Sequence, residues 1–239
     1  MEISPLFDAP GFRIAACRID WLHVADLGVS CDWIAQVLVF MLPLFPGPNE
    51  SARIGSMWAR ILELYALFPP QARLDDFSRN ILGMNKTWPK MKCYGKECQG
   101  LVPVLQAMVR ERLNEADPVQ QTVLQATESL ALCYTYARQR TDEASEGLRA
   151  QCRRFCTLWV ALERLDATAW HCKPKMHMFQ ELCEMDEAGC PTAHSTYRDE
   201  EFGGSVVALG KRRGGHSTPK SVGMLTLAKF CSKHRVPRL

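Results

Sequence analysis

Residues 18–32, R-I-D-W-L-H-V-A-D-L-G-V-S-C-D, carry Asp20, His23 and Asp26 inside an otherwise apolar run. In a helix this spacing puts Asp20 and His23 on one face and Asp26 on the next turn. A carboxylate in that position can orient the imidazole or share a cation with it. The structural alternative is that Asp20 caps a buried helix through its first backbone N–H groups, while His23 packs in the core.

The composition indicates a folded protein with one sizeable core. The chain has 239 residues, of which 47% are hydrophobic and 23% charged, and its net charge of +3 does not by itself single out a nucleic-acid binder. The eleven cysteines follow no repeated spacing, and the start of the chain has no secretory pattern. We therefore expect free thiols in a reducing, intracellular compartment.

The spacing of apolar residues predicts a mainly α protein of about seven to nine helices. The predicted helices cover residues 20–42, 52–68, 101–114, 118–140, 141–166, 178–185, 197–209 and 219–234. The apolar run at residues 33–45 is interrupted by Pro43 and is shorter than the roughly 20 residues that span a bilayer, so a buried helix is expected there and no membrane anchor. The predicted organisation is an irregular lead-in at 1–19, with a short strand remnant, a helical body at 20–209 and a basic appendage at 210–239.

Three segments resemble parts of cut-and-paste DDE transposases of the CACTA type and their Plavaka-like relatives. The string I-D-W-L-H-V-A-D-L-G-V at residues 19–29 is similar to the family's D-V-M-H or D-P-M-H block, which precedes a leucine-rich helix. Residues 173–184, K-P-K-M-H-M-F-Q-E-L-C-E, resemble its K-x-H-x-hydrophobic-x-E/H segment. Residues 196–204, T-Y-R-D-E-E-F-G-G, resemble the string that holds the last catalytic carboxylate.

The resemblance implies an ancestral reaction of metal-dependent DNA strand cleavage and transfer in the nucleus, with a cytoplasmic location as the alternative. It assigns catalytic roles to Asp20, His23, Glu200 and Glu201, and Mg²⁺ binding to Asp20 and Glu201. Such an enzyme also needs two Asp residues on an upstream ribonuclease-H-like sheet, and only nineteen residues precede Asp20. We therefore expect a C-terminal fragment or decayed copy without independent catalysis or a required cofactor.

The acidic triplet at residues 199–201 can also be explained without a catalytic role. It falls in the first turn of the predicted helix at 197–209, where negative charge is favourable beside the helix dipole.

Two basic segments predict contact with DNA. In residues 86–96 lysines alternate with aromatic residues, and beyond Glu201 basic residues accumulate while acidic residues are absent from the sequence. The residues predicted to contact DNA are Lys86, Lys90, Lys92, Lys175, Lys211, Arg212, Arg213 and Lys220. The alternatives are a solvated loop whose Trp88 is tucked into the core, and a basic tail that only solubilises the chain.

The cysteines of C-Y-G-K-E-C, Cys93 and Cys98, are compatible with half of a zinc site. His171, Cys172 and His177 are the residues considered for the other half, although their spacing matches the usual paired ligand motifs only loosely.

Two other classes of function remain open at this level. One is an α-helical scaffold that binds another protein, in which Asp20 and His23 are structural. The other is a metal-dependent hydrolase, which requires Asp20, His23, Asp26 and Glu201 to converge on one ion. DNA and protein are thus both considered as partners, a membrane is not, and the sequence does not determine the oligomeric state.

Overall fold

The computed structural model describes residues 19–139, 141–184 and 191–197, and isolated helical positions between 204 and 231. The chain divides into two compact units, Met1–Ser195 and Thr196–Leu239. The described part is mainly α-helical and contains no strand, which confirms the predicted fold class. The predicted lead-in and strand remnant lie outside the described residues, and the predicted helices at 197–209 and 219–234 lie mostly outside them.

One continuous helical run forms the beginning of the described chain. It consists of a π-helix, Leu22–Ser30, then α1, Cys31–Met41, and a single 3-10 turn, Leu42–Leu44. The prediction of a helix at residues 20–42 that ends near Pro43 is therefore confirmed in extent. The π-helical first half was not predicted, and such stretches are uncommon outside functional sites.

Five further α-helices follow in the first unit. They are α2, Glu50–Leu67; α3, Gly95–Arg112; α4, Pro118–Tyr136; α5, Asp142–Leu165; and α6, Lys175–Glu184, after which comes a 3-10 turn, Pro191–His194. Asn49 caps α2 and Thr141 caps α5, because their side chains accept hydrogen bonds from Ala52 N–H at 2.9 Å and Ala144 N–H at 3.1 Å.

Helix α3 begins at Gly95, well before the predicted start at residue 101, so Cys98 lies in its first turn rather than in a loop. The carboxylate of Glu97 accepts a hydrogen bond from the Tyr94 N–H at 2.8 Å and so satisfies one of the donors at the helix start. Gly100 and Pro103 lie inside this helix. Because glycine disfavours a helix interior, the predicted start fell directly after Gly100 and missed residues 95–100, whereas Pro103 lies within the predicted helix.

The helical run at residues 22–44 forms the centre of the core. Trp33 is fully buried and lies edge-on to Phe155 and Trp159 of α5, with ring centroids 5.3 Å apart in both pairs. By length and composition this 23-residue run is able to cross a membrane, but 72% of its most apolar window is buried inside the protein. The apolar run is thus longer than the stretch at residues 33–45 that the sequence analysis considered. Its burial is typical of a core helix, as predicted.

The connection between α2 and α3, residues 68–94, contains no regular helix but is held at several points. The Lys92 N–H donates to the Ile81 carbonyl at 2.8 Å, and the Met91 N–H donates to the Cys31 carbonyl at 3.0 Å. Gly83 has a φ of +66°, and a Cβ atom there would lie 2.2 Å from the Lys90 carbonyl oxygen. The end of this connection is therefore folded back on itself and attached to the start of α1.

Candidate nucleic-acid interface

Two segments that are far apart in sequence meet at a pair of stacked rings. The indole of Trp88 lies on the imidazole of His171, with ring centroids 4.5 Å apart and an angle of 19° between the planes. Both residues are half-buried. The stack brings the lysine-bearing end of the loop beside the turn that carries Lys173 and Lys175. This position for Trp88 lies between the two predicted alternatives, since the ring is neither free in solvent nor inside the core.

Polar contacts with Gln36 of α1 and Glu163 of α5 hold His171 in place. Gln36 of α1 is 1% exposed; its amide nitrogen donates to the His171 carbonyl at 3.1 Å, and its amide oxygen accepts from the His171 N–H at 3.0 Å and from Trp159 Nε1 at 3.2 Å. The Glu163 carboxylate lies 2.9 Å from His171 Nδ1 and accepts from the Cys172 N–H at 3.0 Å. Sequence reasoning missed both Gln36 and Glu163.

A second anchor joins the same turn to α1. Lys173 Nζ donates to Asp32 Oδ1 at 2.6 Å, and the Asp32 carboxylate is almost fully buried. Burial raises the pKa of Asp32, while the hydrogen bond from Lys173 and the positive charge of Lys90 act in the opposite direction. Lys173 therefore serves mainly to compensate a buried carboxylate.

The lysines predicted to contact DNA occupy different environments. Lys86 and Lys92 are exposed, Lys92 bonding to the side-chain oxygen of Asn80, while Lys90 is half-buried. Lys175 Nζ donates to the His23 carbonyl at 2.8 Å. Gly28 makes room for the Lys175 stem, since a Cβ atom there would lie 2.9 Å from Lys175 Cδ. The remaining predicted contacts, Lys211, Arg212, Arg213 and Lys220, lie outside the described residues.

The structure combines the two interpretations of Asp20 and His23. The Asp20 carboxylate accepts hydrogen bonds from the backbone N–H groups of Leu22, at 3.3 Å, and His23, at 3.0 Å, as a helix cap does. The same carboxylate contacts His23 Nδ1 and so orients the imidazole. The His23 side chain is 50% exposed, so it lies at the surface and not in the core.

Asp26 has a different environment from the other two. It is fully buried and accepts a hydrogen bond from the Tyr134 hydroxyl at 2.5 Å, and that hydroxyl lies 2.8 Å from Ser30 Oγ. Burial, followed by the negative charge of Asp26, raises the pKa of Tyr134. Asp26 therefore belongs to a hydrogen-bonded network inside the core.

The described residues do not form an oxygen-donor site for Mg²⁺. Asp20 contacts His23, but within this part of the chain the donor atoms of Asp20, His23 and Asp26 do not all lie within 4.8 Å of one another. Glu200 and Glu201 lie outside the described residues, so their predicted catalytic and metal-binding roles stay predictions. No chemical step through Mg²⁺ follows from the residues that are described.

The predicted zinc half-site is assembled with a different partner. The Sγ atoms of Cys31, Cys93 and Cys98 lie within 4.8 Å of one another, and those of Cys31 and Cys93 are 3.8 Å apart. The residues considered for the other half have different neighbours: His171 and Cys172 both contact Glu163, and His177 Nε2 lies 3.3 Å from a Glu181 oxygen. In the described part of the chain, the three thiols are the group that offers a metal ion three ligands.

The thiols of this cluster also interact with one another. Hydrogen bonds from Cys31 and then from Cys98 lower the pKa of Cys93 to about 5. Burial is the main reason that the pKa of Cys98 is raised. Cys31 was not singled out from the sequence, because Cys31 and Cys93 lie sixty-two residues apart and form no ligand motif.

No protein-family model matches the chain, and searches of curated proteins and of solved structures found no match. The resemblance to CACTA-type transposases therefore remains a prediction from the sequence. What the chain does has to follow from the chemistry of its own residues.

Proposed function

We propose that this chain is a helical DNA-binding module derived from a CACTA-like DDE transposase, without independent strand-transfer activity. The observation that carries the DNA-binding part is the stack of Trp88 on His171, which joins two lysine-bearing segments into one surface. We call this surface the basic face. It consists of Lys86, Trp88, Lys90, Lys92, His171 and Lys175.

The basic face has the two kinds of group that a nucleic-acid strand requires. Ammonium groups on exposed side chains, such as those of Lys86 and Lys92, neutralise phosphates without regard to sequence. Aromatic rings offer surfaces on which bases stack, and Trp88 remains partly exposed beside His171. A surface of this kind is expected to favour backbone contact over the reading of a particular base sequence.

The loop that carries these lysines is attached to the rest of the first unit by hydrogen bonds and by the ring stack. Its end is tied to α1 by the hydrogen bond from Met91 to Cys31, and its stacking partner His171 is held by Gln36. A surface held in one conformation loses less conformational entropy on binding, so a larger part of the favourable electrostatic interaction appears in the free energy of binding.

The absence of independent catalysis is part of the proposal and rests on the acidic residues. Two-metal phosphoryl transfer needs several carboxylates around adjacent ions. Among the described residues, Asp20 is engaged as a helix cap and Asp26 is bonded to Tyr134 in the core.

A groove beside α3 with a mixed polar and apolar lining favours the other candidate function, a helical scaffold for a second protein. Its apolar lining includes Pro103 and three exposed residues, Leu67, Phe68 and Leu132. The two functions differ in the ligand that they predict, so a DNA titration separates them.

The proposal is tested by fluorescence anisotropy with labelled single-stranded and duplex oligonucleotides at low salt. We expect binding that the double substitution Lys86→Gln/Lys92→Gln weakens by about tenfold, because two phosphate contacts are lost. The matched control is Arg138→Gln/Arg154→Gln, which removes the same charge from two exposed residues that are not part of the basic face and should leave the affinity nearly unchanged.

A third variant, Lys211→Ala/Arg212→Ala/Arg213→Ala, measures the contribution of the C-terminal basic stretch. A loss of affinity in this variant alone would transfer DNA binding from the basic face to that stretch. Failure of the unmodified chain to bind either oligonucleotide at low salt would overturn the proposed function and leave the scaffold.

A further inference from the structure

The three thiols of Cys31, Cys93 and Cys98 are spaced as ligands of one metal ion. In a tetrahedral zinc site with Zn–S bonds of about 2.3 Å, neighbouring sulfur atoms are about 3.8 Å apart. The sulfur atoms of Cys31 and Cys93 are separated by 3.8 Å, and that of Cys98 lies within 4.8 Å of both. A shift of a few tenths of an ångström to about one ångström in the Cys98 side chain suffices to close the site.

We propose that Cys31, Cys93 and Cys98 bind one Zn²⁺ ion. Thiolates are soft ligands and select zinc and copper(I) over magnesium or calcium. Binding releases the thiol protons that remain on the three sulfur atoms, so the ion and three thiolates together carry one negative charge. Lys90 lies close enough to Cys31 and Cys93 to interact with both electrostatically, so its positive charge offsets this negative charge.

The surroundings of the cluster suit an ion that enters from one side. Cys31 and Cys98 are buried, whereas Cys93 is half-buried. Among the described residues no His, Asp or Glu joins the group as a fourth ligand, so the fourth position is left to water or to a further ligand. Cys93 also lines a surface pocket together with Tyr94 and Glu97, so the cluster is open to solvent on the side of Cys93.

The cluster differs from the other buried cysteines of the protein in where its members come from. Cys133, Cys152 and Cys156 lie along the apolar faces of α4 and α5, where a cysteine serves as a small hydrophobic residue. The three thiols of the cluster come instead from three separate elements: the start of α1, the end of the 68–94 connection and the first turn of α3. A bound ion would therefore cross-link these elements.

Such a cross-link would have a consequence for the basic face. Cys93 directly follows Lys92, and Lys90 is three residues before Cys93. Zinc would thus fix the end of the loop that carries these lysines. The test of the metal site nevertheless does not depend on DNA binding, because the ion can be measured on the purified chain without any nucleic acid.

The test uses the full chain, purified under reducing conditions. We expect about one equivalent of zinc per chain by mass spectrometry of the metal. After removal of zinc with a chelator, titration with Co²⁺ should give the strong ligand-field bands of a tetrahedral ion together with thiolate-to-cobalt charge-transfer absorption. The titration of the unmodified chain needs no substitution, so it does not depend on whether a variant folds.

Two variants locate the site. Cys93→Ser should lower the affinity for Zn²⁺ by about a hundredfold or more, since even partners outside the coordination sphere contribute ten- to a hundredfold. Cys183→Ser, a buried cysteine outside the cluster, is the matched control and should bind like the unmodified chain. Circular dichroism of both variants reports whether they are folded.

Three results would overturn the zinc proposal. Co²⁺ that shows only the weak spectrum of an octahedral ion, or binding of copper(I) with none of zinc, would overturn the proposal. So would zinc binding that Cys93→Ser leaves intact in a folded protein. None of these outcomes affects the expected binding of DNA, which is measured separately.

Discussion

Replacement of Gln36 by Leu is expected to lower the free energy of unfolding by about 3 to 5 kcal/mol, because it leaves several buried polar groups without partners. The Gln36 amide bonds to the carbonyl and the N–H of His171 and to Trp159 Nε1. Each such group costs about 1 to 3 kcal/mol when it is buried and unsatisfied. Leu fills a similar volume, so the loss of packing is small and the change reports mainly on the hydrogen bonds.

The measurement for Gln36→Leu is chemical denaturation followed by circular dichroism. Gln121→Leu on α4 is the matched control, since Gln121 is exposed and its replacement should change the free energy of unfolding by less than about 0.5 kcal/mol. Gln36→Leu should also weaken oligonucleotide binding at a temperature at which the variant is folded, because His171 then no longer holds Trp88 in place. Equal effects of the two substitutions would contradict the role assigned to Gln36.

Raising the salt concentration should weaken DNA binding steeply. If the lysines of the basic face contribute about four phosphate contacts, an increase from about 50 mM to about 200 mM salt lowers the affinity by roughly 50- to 150-fold. The lower end applies to single-stranded and the upper end to duplex DNA, since each contact releases fewer counterions from a single strand. These contacts are the ones predicted for Lys86, Lys90, Lys92 and Lys175.

The salt dependence is measured by repeating the anisotropy titration at several salt concentrations and plotting the logarithm of the affinity against that of the salt concentration. For Lys86→Gln/Lys92→Gln the slope should be shallower by about 1.4 to 1.8, the share of two contacts. An affinity that does not change with salt would mean that the binding is not electrostatic, and the basic face would lose its assigned role.

Much of the fold was predictable from local patterns in the sequence. The spacing of apolar residues predicted α2, α4 and α5 within a few residues of their ends. Such features depend on neighbours within one or two turns. Where a local rule was broken, as by Gly100 inside α3, the predicted boundary was wrong because tertiary packing outweighed the local preference.

The π-helix at Leu22–Ser30 shows a second limit. Its apolar residues fit an ordinary helical pattern, so nothing in the spacing distinguishes π from α geometry. What accompanies it is tertiary: Asp26 bonds to Tyr134 on α4, and Lys175 on α6 lies across Gly28. These contacts become visible only when distant parts of the chain are brought together.

The sequence identified some residues of the candidate sites, but it did not predict which distant residues they contact. The alternation of lysine and aromatic residues identified Trp88, yet its contact with His171 joins positions more than eighty residues apart. In the same way C-Y-G-K-E-C identified Cys93 and Cys98, but their third partner is Cys31 on another helix. Such contacts between distant residues could not be predicted from this one sequence, because they depend on how the helices pack against one another.

The most direct test of the basic face is lysine protection measured by mass spectrometry. The chain is acetylated briefly with and without saturating DNA, and the modification of each lysine is compared. We predict that Lys86 and Lys92, both exposed, are protected by DNA at low salt and lose this protection at high salt, where binding fails. Equal acetylation of these two lysines with and without bound DNA would contradict the assignment of the DNA-binding surface.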